Sequence, residues 1–107
     1  MANKARLSLG TVMVLHALAR GCKYGFDVME ETGLTSGTIY PALEKLESLV
    51  HAVSEWEDGR IAQHEKRPPR RYFEITHEGL IALQHAMHKH RSLAPVELPG
   101  VVEPRVP

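Results

Sequence analysis

Apolar and polar positions along this 107-residue chain follow two different periods, and the places where the period changes mark the elements. Over residues 7–20, Leu9, Val12, Met13, Val14, Leu15, Ala17 and Leu18 predict a helix whose apolar positions cover far more than the ~100° face that one core requires. The surplus points to a second apolar neighbour, such as another subunit, and Gly21 ends the helix. Residues 24–32 predict a short second helix, with Phe26, Val28 and Met29 as apolar contacts and Gly33 as the stop. A third helix follows, capped by Thr35 or Ser36. Its Ile39, Leu43, Leu46 and Val50 recur at i, i+4, i+7 and i+11 as a core-facing stripe. Pro41 sits within its first turns, where a missing N–H costs least.

The period then drops to two. Residues 51–57 read as a strand with Ala52, Val53 and Trp56 as its apolar members, and residues 71–75 as a second strand rich in aromatic and β-branched side chains. Asp58-Gly59 signals a turn, and residues 60–69 read as a loop stiffened by Pro68 and Pro69, so 51–75 is a hairpin with a long tip. The helical period returns over 76–91, capped by Thr76, with Leu80, Leu83 and Met87 inward. Four prolines in the last 13 residues exclude a helix there. The chain therefore divides into a folded domain, residues 1–92, and an extended or disordered tail, residues 93–107. The fold class is mainly α with a small antiparallel β-hairpin. Helices two and three, joined by a tight turn containing Gly33, make a helix-turn-helix, and the hairpin after them takes the place of the wing in a winged helix-turn-helix domain.

Charge sharpens this picture. The formal net charge is zero, yet residues 1–25 carry +4, residues 26–58 carry −7, residues 59–71 carry +4 and the remainder −1. Lys66, Arg67, Arg70 and Arg71 form a local cationic arm, and local fields bind polyanions whatever the total. A wing lies against a sugar–phosphate backbone, where such cations neutralise phosphates and release counterions. The third helix is not basic: Glu44, Lys45 and Glu47 leave it at −1. Its N-terminus offers the hydroxyls and backbone N–H groups of Thr35, Ser36, Gly37 and Thr38, where the helix dipole is positive. Gly37 permits close approach, and Tyr40 can donate its O–H to a phosphate or base edge. Alternation along 70–74 sends Arg71 and Phe73 to one face and Arg70 and Tyr72 to the other. One arginine is thus expected to pair with Glu55 or Glu57, and Arg67 and Arg70 rank ahead of Arg71 as phosphate contacts. Tyr24, at the start of the second helix, and Lys45 complete the candidates.

The single Cys22 excludes an intrachain disulfide, and no apolar run approaches ~20 residues, so a cytoplasmic protein is expected. No nucleophile elbow, phosphate-cradling glycine loop or spaced carboxylate pair points to catalysis, and neither a metal nor a cofactor is expected.

Several stretches resemble the PadR-type winged-helix transcriptional regulators. These are YGFDV (24–28), TSGTIYPALEKLE (35–47), LVHAVSEWE (49–57) and PPRRYFEITHEG (68–79), and the resemblance runs in order from residue 7 to about 91. Phe26 stands where the family usually has a tyrosine, the wing loop is longer and poorer in glycine, and the last helix ends before Pro95, short of the family's dimerisation region. The resemblance implies a sequence-specific binder of double-stranded DNA, a repressor, acting as a homodimer through the first and last helices, with third helices in successive major grooves. It also implies a small hydrophobic effector, for which Trp56, Met13 or Met87 would line a site. Two other readings stay open: a protein–protein adaptor whose basic wing binds an acidic partner, and a metal- or pH-responsive sensor using His77, His85 and His88, which share a stripe with Ile81.

Overall fold

The computed structural model describes residues 7–89. Its elements are α1 (Leu9–Ala19), α2 (Gly25–Thr32), α3 (Ser36–Ser48), β1 (Ala52–Trp56), α4 (Gly59–His64), β2 (Arg71–Ile75) and α5 (His77–Lys89). α1 starts at Ser8, whose hydroxyl accepts from the Thr11 amide at 3.2 Å, an N-cap that satisfies one of the first-turn donors. The helix packs against α2, α3, α5 and β2. Its apolar surplus is spent there, since Thr11, Val12 and Val14 through Ala19 are all buried. The second subunit expected from the sequence is therefore not needed to cover α1; the chain's own elements surround it. Of its large apolar side chains, Leu9 remains exposed.

Val28 of α2, Ile39, Leu43 and Leu46 of α3, Phe73 of β2, and Leu80 and Leu83 of α5 close the core around α1. Each such large side chain contributes about 1.5–3 kcal/mol on full burial. Two expected contributors stand outside: Phe26 is 64% exposed and Val50 is 55% exposed. Val50 follows the end of α3 with φ 63°. Its amide donates to the Glu47 carbonyl and that of His51 to the Leu46 carbonyl, at 3.0 and 2.8 Å. This left-handed termination stops the helix, so the last position of the predicted stripe leaves the helical face.

β1 and β2 pair antiparallel, from Ala52 opposite Ile75 to Trp56 opposite Arg71. Tyr24 adds an isolated bridge to Tyr72, and the Phe73 amide donates to the Lys23 carbonyl at 2.8 Å, so the segment before α2 is tied to the hairpin. The tip differs from the expected loop because α4 occupies its first half. Asp58 is both turn residue and N-cap, accepting from the Arg60 amide at 2.8 Å. Lys66, at φ 59°, closes α4 as Val50 closes α3, with the Lys66 and Arg67 amides donating to Gln63 and Ala62 at 3.0 and 3.1 Å. α5 opens as expected on Thr76, whose hydroxyl accepts from the Gly79 amide at 3.0 Å and donates to the Val50 carbonyl at 2.6 Å. Gly79 allows α5 to cross the chain ahead of β1: a Cβ there would strike the His51 carbonyl. The expected tail, 93–107, lies outside the described residues.

Candidate nucleic-acid interface

The start of α3 is open. The Thr35 carbonyl accepts from the Thr38 and Ile39 amides, both at 3.0 Å. The Thr38 amide is thereby satisfied, and the Thr35 hydroxyl makes no cap hydrogen bond. The expected side-chain cap by Thr35 or Ser36 is thus replaced by a backbone one. Thr35, Ser36, Gly37 and Thr38 are all exposed, at the end of the helix where aligned peptide dipoles favour an anion. Tyr40, one turn later, is 47% exposed. Its ring and hydroxyl lie against Gly25, where a Cβ would collide with both. Lys45 is exposed in the last turn.

The four wing cations divide into two kinds. Arg67 grips Glu57 with both prongs, Nη1 to Oε1 at 2.7 Å and Nη2 to Oε2 at 2.8 Å. Glu57 also accepts from the Arg70 amide at 3.1 Å. These donors, Arg67 above all, lower the Glu57 carboxyl to about 2, and the pairing raises Arg67 in turn. Arg71 donates from Nη2 to Glu47 Oε1 at 2.7 Å and from Nε to Ser54 Oγ at 3.1 Å. Ser54 donates to Glu47 Oε2 at 2.6 Å, so one three-membered link joins α3 to both strands. Phe73 and Trp56 lie beneath the Arg71 guanidinium, with ring centres at 5.1 and 6.0 Å.

The expected pairing of one arginine with Glu55 or Glu57 is therefore exceeded, because two arginines are held by acids. Glu55 instead accepts from the Tyr72 hydroxyl at 3.0 Å, which raises that phenol. The expected rank of Arg67 above Arg71 is not reflected in the geometry. The left-handed turn at Lys66 swings Arg67 back onto the residue after β1, a reversal that strand alternation cannot reveal. Arg70 and Lys66 are exposed, and no acid pairs with either among the described residues. The Arg70 guanidinium stands 5.3 Å from the Tyr24 ring centre, and Tyr24 meets Tyr72 edge to face at 6.1 Å.

A groove of about 580 Å³ between α2, α3 and the hairpin brings Tyr24, Tyr40, Arg70 and Arg71 together with Trp56 and Phe26. Neither Met13 nor Met87 lines it; Met87 packs on the core instead. His77, His85 and His88 lie exposed on α5, and no group of three or more metal-ligating side chains gathers among the described residues. Burial, reinforced by Glu31 and Asp27, raises the Cys22 thiol. No helix among the described residues is long and apolar enough to cross a membrane.

Sequence reasoning named Glu57 as an arginine's partner and Trp56 as a pocket residue, but missed Gly25, Glu47 and Ser54 as parts of this surface. One signal was present: alternation puts Ser54 on the same face as buried Ala52, and a polar group on an inward face requires a partner.

A helix-turn-helix, an antiparallel hairpin and a closing helix in this order define a winged-helix domain. The chain belongs to the PadR-like family of transcriptional regulators, whose family model matches residues 14–85; its members are regulators, not enzymes. A PadR family transcription regulator from Clostridium difficile R20291 superposes with a TM-score of 0.66 at 21% identity, covering 79% of this chain and 90% of that one. A PadR family transcriptional regulator from Eggerthella lenta gives 0.60 at 27% identity over 76% and 71%. The adhesin competence repressor of Streptococcus pyogenes shares the fold at 0.63 and 16% identity over 85% and 63%. No curated protein matches the chain in sequence.

Proposed function

We propose that this regulator represses transcription in the cytoplasm by binding a specific double-stranded DNA site. In this reading the exposed N-terminal turn of α3 enters the major groove and the exposed wing cations rest on phosphates. The observation that carries the reading is the opening of α3. Thr35, Ser36, Gly37 and Thr38 are exposed and the Thr35 hydroxyl is uncommitted, with Tyr40 and the unpaired Arg70 lining one groove beside them. Thr38 and Tyr40 read base edges, while Arg70 and Lys66 supply phosphate contacts that position without specifying. Tyr24, Lys45, Arg67 and Arg71 are secondary, the two arginines because each already holds an acid. A homodimer would use α5 and what α1 leaves uncovered, with Ile81 and Leu9 as exposed apolar contacts, and would set two α3 helices about 34 Å apart on the duplex. A small hydrophobic effector acting beside Trp56 would share the groove with the DNA-facing residues.

The test is retention of genomic fragments by the purified protein, followed by titration of a retained duplex at several salt concentrations. The log of the affinity is expected to fall linearly with the log of salt. Failure to retain any fragment, or affinity indifferent to salt, would sink the reading. Sedimentation at micromolar concentration tests the dimer.

A further inference from the structure

Soluble proteins rarely cluster large exposed aromatic side chains without a partner for them. Here Trp56 is 65% exposed, Phe26 64% and Tyr40 47%, and all three line the groove between α2, α3 and the hairpin. Arg70, the wing arginine that no acid holds, closes one wall over the Tyr24 ring. The core accounts for little of this, since Phe26 and Trp56 stay about two-thirds exposed and neither belongs to the buried cluster. Arg71 is already committed to Glu47 and Ser54, so it shapes the groove rather than supplying a free charge. Asp27 is the lining's acid.

Duplex geometry says what would fill such a groove. A major groove and the minor groove next to it are separated by one sugar–phosphate strand. If α3 lies in the first and the wing over the second, that strand has to pass between them, and the space between α3 and the wing is this groove. A DNA strand presents both chemistries the groove offers partners for: deoxyribose faces made of C–H groups, and anionic phosphates. We propose that the groove takes one sugar–phosphate strand of the bound duplex. Trp56 and Phe26 pack against deoxyribose, Arg70 holds a phosphate, and Tyr40 stands between the strand and the base edges. This assignment rests on the DNA-binding reading above and adds to it a contact surface that is apolar as well as cationic. Because a backbone strand has the same sugars in every sequence, these contacts set affinity and placement, not base preference.

Trp56 is the one tryptophan in the chain, so intrinsic fluorescence reports on the groove alone, while anisotropy of a dye-labelled duplex reports binding independently. A duplex retained by the parent protein is expected to shift and quench Trp56 emission in step with the anisotropy. Trp56→Ala should weaken binding roughly tenfold on retained and unrelated duplexes alike, the loss expected for on the order of 60 Å² of apolar contact. Trp56→Phe should keep most of the affinity, and Trp56→Glu should lose more than the alanine variant through repulsion from phosphate. Since Trp56 is exposed, these variants leave the core intact, which thermal melting checks. Normal duplex affinity in Trp56→Ala and Trp56→Glu, or emission unmoved by a bound duplex, overturns the groove assignment and leaves the DNA reading standing. No duplex binding by the parent overturns both. Emission that responds to a free aromatic acid but not to duplex overturns the assignment in favour of a small-molecule pocket.

Discussion

At the start of α3 the Thr35 hydroxyl makes no cap hydrogen bond and Ser36, Gly37 and Thr38 face outward. Across the groove, at the root of the wing, Arg67 and Arg71 are each fixed by a carboxylate at 2.7 Å. Both regions carry the residues that recognition of nucleic acid calls for, but only the first presents them unspent. The difference separates two jobs that sequence alone runs together. A group that reads must be free in the unbound protein, because any bond it already holds has to be broken first. A group that braces must be satisfied, because its purpose is to keep something else in place. The Glu47–Ser54–Arg71 link ties α3 to both strands and so fixes the angle between the reading helix and the hairpin. The Glu57–Arg67 pair fastens the far side of α4 onto the end of β1. Arg70 and Lys66 are then the cations left over for phosphate.

The comparison breaks most visibly at the open end. Thr38→Ala and Tyr40→Phe are expected to change the ranking of duplexes, with losses of about 1–3 kcal/mol on the preferred site and little on unrelated DNA. Gly25→Val probes the same contact indirectly: its side chain would displace the Tyr40 ring and hydroxyl, and discrimination should fall while the melting temperature changes little. Competition between matched and mismatched duplexes measures both. Equal losses on every duplex would move Thr38 and Tyr40 from reading to mere attachment.

Next in size is the split between neighbouring arginines. Arg70→Ala should weaken all duplexes by roughly tenfold and reduce the log–log salt slope by about one phosphate. Arg71→Ala should leave the slope nearly unchanged, lower the melting temperature of the free protein, and shift site preference as α3 and the hairpin lose their fixed angle. Titration of each variant at three salt concentrations checks this. If Arg71→Ala lowers the slope as Arg70→Ala does, the bracing role is wrong.

A smaller effect tests the strained exit from α3. Val50 is β-branched, yet it holds φ 63°, a region that costs such residues about 1–2 kcal/mol. Val50→Gly relieves the strain at some cost in backbone entropy, so a net gain of about 0.5–1 kcal/mol in chemical denaturation is expected, with DNA affinity unchanged.

These cases also show what the sequence could reveal. Four of the five helices, all but α4 in the stretch read as a loop, and the hairpin with its alternation are legible because burial imposes a period, and Leu43, Leu46, Leu80 and Leu83 obey it. The family signature located the open end of α3. What stayed hidden depends on short-range reversals and through-space pairing. A left-handed residue at Lys66 looks like any lysine in a charged loop, yet it decides which acid Arg67 meets. Glu47 reads as one more charge on an acidic helix, and only the packing of β1 beside α3 gives it Ser54 and Arg71. Gly25 and Tyr40 lie 15 positions apart, and their contact exists only once α2 and α3 cross. The surplus on α1 misled for the opposite reason: its pattern was read correctly, but the number of neighbours a small domain can wrap around one helix was underestimated.

The smallest expected effect concerns the other brace and appears only in acid. With the Glu57 carboxyl at about 2 in the folded protein against 4.5 for an unperturbed group, the folded state holds this site ionised more firmly than the unfolded chain does. The stability it contributes is therefore fully present above about pH 4.5. It fades as pH falls towards about 2, where folded and unfolded states are both protonated. The two side chains are only 22% and 9% exposed, and the cost of taking both charges out of water offsets much of their attraction, so the change is modest. Arg67→Gln removes the partner, and Glu57→Gln the titrating group. Both variants should melt below the parent at pH 6 and approach it as pH drops to 2, while nothing changes between pH 6 and 8 on account of this pair. A parent–variant gap that stays constant from pH 6 to 2 would mean that Arg67 holds the wing by packing its stem rather than by charge, and the wing root would then have one electrostatic brace, at Arg71, instead of two.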